Sequence, residues 1–76
     1  MIEGRLVYAA GQDRYQIVDA AGEVQHPGLH CGECLAVMLP DGWTETRAEF
    51  DSRGWYLVGT GLTGQQLGGL FVRMGD

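Results

Sequence analysis

The chain has 76 residues, with ten acidic and five basic side chains and a formal net charge of −5. Every basic residue is an arginine. The length holds one small folded unit at most, the charge argues against a phosphate backbone or an anionic membrane as a direct ligand, and a hydrophobic content of 45% is too high for a disordered tail.

Met1-Ile2-Glu3-Gly4-Arg5 has neither the basic region nor the apolar stretch of a secretory leader. The longest apolar run, Leu35 to Pro40, is far shorter than the ~20 residues of a membrane span. A cytoplasmic setting with reduced thiols is therefore expected. Ile2-Glu3-Gly4-Arg5 also matches a protease-cleavage tag, but Arg5 leads directly into a strand pattern.

Short β-type runs then alternate with turn signals. Arg5–Ala9 and Arg14–Val18 read as the first two strands, joined through Gly11-Gln12-Asp13. Ala21-Gly22-Glu23 turns again, and His26-Pro27-Gly28 reads as a loop. Cys34–Leu39, Trp43–Phe50 and Trp55–Val58 read as three further strands. Leu70–Arg73 would close the fold as a sixth. No window has convincing helical periodicity, because Gly64, Gly68 and Gly69 weaken the one candidate near Gln65. The pattern predicts an all-β, antiparallel barrel or sandwich of five or six strands, one unit over residues 1–76.

Register follows from burial. An Asp41-Gly42 turn with positive φ at both positions would pair Pro40 with Trp43, Leu39 with Thr44, Val37 with Thr46 and Leu35 with Ala48. Leu35, Val37, Leu39, Thr44, Thr46, Ala48 and Phe50 then share the inner face. A turn through Asp51-Ser52-Arg53-Gly54 pairs Phe50 with Trp55 and adds Trp55 and Leu57 to that face. Met38, Trp43, Glu45, Arg47, Glu49 and Tyr56 look outward. Met38, Trp43, Arg47 and Tyr56 are the candidate partner-binding residues, since Trp and Arg dominate interface hot spots. The competing reading is that an outer Trp only covers an open edge or the closing strand.

Gly32-Glu33-Cys34-Leu35-Ala36-Val37, Asp41-Gly42-Trp43 and Arg47-Ala48-Glu49 resemble the first hairpin of Tudor and other SH3-like barrels. That resemblance implies a small SH3-like antiparallel barrel. Gly28-Leu29-His30-Cys31-Gly32-Glu33, Asp41-Gly42-Trp43, Thr46-Arg47-Ala48-Glu49 and Trp55-Tyr56-Leu57-Val58-Gly59 resemble a family of small bacterial domains often encoded among phage and conjugative-element genes. This implies a self-contained unit and a mobile-element setting, and it carries over no catalytic residue.

Other motifs are weaker than they look. Gly59-Thr60-Gly61-Leu62-Thr63-Gly64 fits the dinucleotide fingerprint, but the chain after it is too short for the helix and second strand that the chemistry needs. Cys31-Gly32-Glu33-Cys34 has metal-knuckle and redox spacing. Structural zinc needs four ligands, and only His26 and His30 could join Cys31 and Cys34. A redox role needs a lowered thiol pKa, and Glu33 between the thiols opposes that. His30 and Cys31 are adjacent, so on a strand they point to opposite faces and do not form a base–nucleophile pair. Glu45 and Glu49, with Arg47 between them, read as a solvated charge ladder. An aromatic cage for methylated lysine or arginine needs three or four rings at one point, and this outer face offers two.

The sequence thus predicts a non-catalytic protein-interaction module with no cofactor. Its partner would be a protein, and the acidic charge would steer a basic one. Homo-oligomerisation through an open sheet edge is compatible with that role. Two alternatives are an acidic inhibitor that occupies the channel of a host nuclease or nucleic-acid-binding protein, and a zinc-supported structural domain.

Overall fold

The computed structural model describes residues 1–75. Eight strands form one antiparallel sheet that curls into a half-barrel. They are β1 (Ile2–Ala9), β2 (Arg14–Val18), β3 (Val24–His26), β4 (Cys34–Leu39), β5 (Gly42–Asp51), β6 (Gly54–Leu57), β7 (Leu62–Thr63) and β8 (Phe71–Met74). A single 3₁₀ turn, Gly64–Leu67, precedes β8 among the described residues. The order across the sheet is β3-β2-β1-β8-β4-β5-β6-β7.

The all-β class and a last strand near Leu70–Arg73 match the sequence reading; the count of five or six strands does not, and that last strand, Phe71–Met74, lies inside the sheet between β1 and β4. The extra strands are β3 and β7, of three and two residues. Neither has room for the alternation that marks a strand in sequence. Both are edge strands, held by a neighbour on one side only. The stretch between Gly59 and β8 contains β7 and the 3₁₀ turn. Gln66 supports that turn by accepting the Thr63 backbone N–H on its side-chain oxygen, at 3.0 Å.

Period-two alternation builds the core. Leu6, Tyr15, Ile17, Leu35, Val37, Ala48, Trp55, Leu57 and Val72 point inward and are buried. Leu29 and Leu67 enter the same core from outside the strands. Each fully buried aliphatic side chain stabilises by ~1.5–3 kcal/mol relative to exposure. On the outer face Ala36 is buried as well, flanked by its cross-strand neighbours Arg73 and Glu45.

The β4–β5 hairpin corrects one expectation. Leu39 pairs with Gly42, Met38 with Trp43, Val37 with Thr44 and Leu35 with Thr46. The loop residues are thus Pro40 and Asp41, not Asp41 and Gly42. Only Gly42 has a positive φ, +114°, and Asp41 does not. Proline at the second turn position and glycine at the fourth suit a type I turn, which outcompetes the primed turn expected from Asp-Gly. The register differs by two residues, an even number, so every side chain keeps its expected face. The β5–β6 turn uses the same device, with Asp51 opposite Gly54 and a Gly54 φ of +109°. There the expected Phe50–Trp55 pairing is observed.

Two features close the curled sheet. The β3–β4 connection crosses the opening: the Leu29 N–H donates to Tyr15 O of β2 at 2.9 Å, and Gly32 N–H donates to Ala48 O of β5 at 2.8 Å. Ala48 N–H returns a bond to Glu33 O at 2.9 Å. Beyond it, the Trp55 indole N–H donates to Asp13 O at 2.8 Å and the Tyr15 hydroxyl donates to Gly64 O at 2.8 Å. These long-range bonds hold the two flanks of the sheet together.

Candidate functional site

The two hairpins that meet across this closure each end in an aromatic pair. Tyr8 faces Tyr15 across β1 and β2, with ring centroids 5.2 Å apart. Phe50 faces Trp55 across β5 and β6, with centroids 5.1 Å apart in an edge-to-face arrangement. All four lie on the inner face, beyond the last aliphatic layer. Together with Asp13, Ser52, Arg53, Gly54, Gly64, Gln65 and Gly68 they line an open groove of about 630 Å³. That volume falls in the range of ligand and peptide sites. Trp55 and Tyr15 form its floor, at 6% exposure each, while Tyr8 and Phe50 form its rim, at 47% and 46%.

Phe50 was expected inside. Its face is the predicted one, but its position beside the β5–β6 turn carries it past the edge of the core, so the ring stands half in solvent.

The groove's aromatic donors are already committed. The Tyr8 hydroxyl donates to Asp13 Oδ1, the Tyr15 hydroxyl to Gly64 O, and the Trp55 indole to Asp13 O. Asp13 adopts a φ of +54° in the β1–β2 turn, a conformation that aspartate tolerates better than most residues. Its bond to Tyr8 raises that hydroxyl's pKa above the ordinary phenol value, with smaller contributions from partial burial and from the neighbouring charges. Burial raises the Tyr15 hydroxyl likewise. Besides the rings and the Asp13 carboxylate, the groove is lined by the side chains of Ser52, Arg53 and Gln65.

The residues singled out on the outer face are spread along β5 rather than gathered at one point. Met38 and Trp43 are cross-strand neighbours near one end of β5. Tyr56 sits opposite Glu49, six residues along β5, a span of about 20 Å. Arg47 lies between and bonds Glu49, Nε to Oε2, at 2.7 Å. Trp43 is half-buried; the Arg73 guanidinium stacks on its ring at 4.1 Å and Phe71 packs against it at 5.6 Å. Arg5 in turn stacks on Phe71 at 5.1 Å. Trp43 thus covers β8, the closing strand, with its π surface engaged by the protein's own arginine.

His30 and Cys31 lie in the β3–β4 crossing, while His26, expected in a loop, ends β3 and Cys34 opens β4. Glu33 organises the crossing, accepting the His30 N–H at 2.7 Å and contacting His26 Nε2 at 3.1 Å and His30 Nδ1 at 3.3 Å. Gly28 N–H donates to His26 Nδ1, which leaves Nε2 to carry the proton toward Glu33. Desolvation alone would raise the Glu33 carboxyl; the bonds from the His30 backbone and from both imidazoles outweigh it and hold the pKa below the ordinary 4.5. Cys31 and Cys34 are exposed free thiols. Among the described residues no group of three or more His, Cys, Asp or Glu is arranged to hold a metal ion, and no helix is long and apolar enough to cross a membrane.

The aromatic groove is the site that sequence reasoning missed. Tyr8 and Tyr15 alternate in phase with Leu6 and Ile17, and Phe50 with Trp55 follow from the predicted register, so each pair was individually readable. Their meeting depends on the curl of the whole sheet, which local patterns do not encode.

Comparison with known proteins places this geometry in a family. Residues 4–74 match the family described as a domain of unknown function, DUF5348, and the chain belongs to that family. A crystal structure of a protein from Ruminococcus gnavus, determined by a structural genomics consortium, is 42% identical, with a TM-score of 0.78 over 96% of this chain and 100% of that one. No curated protein matches the sequence.

Proposed function

We propose that this member of the DUF5348 family is a non-catalytic interaction module that docks a protein partner in the groove of Tyr8, Tyr15, Phe50 and Trp55. One observation carries the reading: two cross-strand aromatic pairs from opposite flanks of the sheet line a single open groove, with Tyr8 and Phe50 half exposed. Exposed rings gathered over a rigid floor are what hot spots are made of. The titratable groups near the groove and in the crossing support structure: Asp13 holds Tyr8, and Glu33 ties His26 to His30. The net charge of −5 favours a basic partner by steering its approach. The proposal keeps kinship with SH3-like barrels and a mobile-element setting, both resting on the motifs around Gly32, Asp41 and Trp55.

The test compares two double variants, each first shown to be folded by circular dichroism. Tyr8→Ala/Phe50→Ala strips the groove's rim, and Trp43→Ala/Arg47→Ala strips the outer face. Affinity purification from the native host, with mass spectrometry of what co-elutes, should lose the partner with the first variant and retain it with the second. The opposite pattern would return the docking site to the outer face.

A further inference from the structure

We infer that the groove takes the lysine side chain of its basic partner, held as an alkylammonium ion against Tyr8, Phe50 and Trp55 with Asp13 as counter-charge. This rests on the reading of the groove as a docking site and goes beyond it by naming the chemistry of the guest.

The groove's rings and its carboxylate favour a cation. The three aromatic donors are spent on Asp13 Oδ1, Asp13 O and Gly64 O, and the donors left for a ligand that brings acceptors are the side chains of Ser52, Gln65 and Arg53. Against these stand the half-exposed rings of Tyr8 and Phe50 and the Asp13 carboxylate. Ring faces attract a cation through the quadrupole, most strongly for Trp. A lysine's butyl stem suits the same walls, because apolar methylenes pack on rings while the ammonium reaches a polar rim. The charge of the whole chain acts in the same sense. Arg53 is the one cation among the lining residues, and its guanidinium is stacked on none of the four rings, whereas Arg5 and Arg73 both stack on rings of the outer face. No arginine therefore covers the half-exposed rings of Tyr8 and Phe50, and Arg53 opposes a cationic guest electrostatically.

The test titrates the 76-residue protein with Nα-acetyl-lysine methylamide while following the Trp55 indole N–H by NMR. Nα-acetyl-norleucine methylamide serves as the neutral probe of matching stem, and choline as a cation from a different source. The lysine amide should shift the Trp55 signal saturably, and the norleucine amide should bind at least about fivefold more weakly. Asp13→Asn keeps a Tyr8 acceptor and tolerates the positive φ; it should weaken the lysine amide about threefold or more and leave norleucine unchanged. Arg53→Ala should strengthen the lysine amide. Equal binding of both amides, or indifference to Asp13→Asn and Arg53→Ala, would overturn the cation assignment and leave an apolar docking groove standing. Binding of choline with no response to the lysine amide would overturn it in favour of a lipid headgroup. Silence of the Trp55 indole to every probe, in a protein whose Tyr8→Ala/Phe50→Ala variant still retains its partner, would overturn the docking reading itself.

Discussion

Gly4 shows how one residue shapes the sheet. A Cβ at this position would collide with the Val18 carbonyl and sit 3.0 Å from Ile17 Cγ2. It lies where β1 passes from pairing with β8 to pairing with β2, so the strand turns the corner of the half-barrel at a residue without a side chain. Gly4→Ala should cost about 1–3 kcal/mol, read as a lower denaturation midpoint at unchanged m-value. Glu33 makes a different residue-scale prediction. Its folded-state pKa lies below the unfolded one, so its contribution to stability is fully present above the ordinary carboxyl range and is lost as pH falls through the folded value. Glu33→Gln should therefore lower the melting temperature near neutral pH, and the gap to the native protein should narrow below pH 4.5. A gap that stays constant over that range would show that the charge of Glu33 does not support the crossing.

At the scale of elements, long strands were legible and contacts between distant ones were not. Arg14–Val18 and Cys34–Leu39 were readable to the residue, because each alternates cleanly and ends at a turn signal. β3 and β7 are too short to have a period. The Pro40-Asp41 turn was misread because Asp-Gly satisfies two turn types, and the preceding proline decides between them. Trp43 was correctly expected outside, yet nothing local announced that Arg73 and Phe71 from β8 would occupy its ring. The groove escaped for the same reason, since it joins a β1–β2 pair to a β5–β6 pair. The β3–β4 crossing was readable only as a loop, although it places Leu29 at 2% exposure in the core. Leu29→Ala should cost ~2–5 kcal/mol, as for other deletions of a buried leucine. In a chain of this size that shift is on the order of 10 °C or more in melting temperature. A change under about 2 °C would mean that the crossing merely lies on the surface.

For the molecule as a whole, closure of a small half-barrel and formation of the aromatic groove are one event. Trp55 of β6 bonds Asp13 in the β1–β2 turn and Tyr15 of β2 bonds Gly64 in the 3₁₀ turn, and those same bonds spend the donors of the rings they position. Core and groove therefore share residues: Trp55 is both a core side chain and the floor of the groove. The charge of −5 acts over the entire surface, so association with a basic partner should slow as salt is raised, while dissociation, governed by the rings, should change little. The chain's two tryptophans report on the two rival faces, Trp55 on the groove and Trp43 on the outer sheet. Titrating the isotope-labelled protein with its co-purified partner and watching both indole N–H signals tests the central claim most directly. The groove account predicts that Trp55 moves and Trp43 stays; movement of Trp43 with Trp55 unchanged would contradict it.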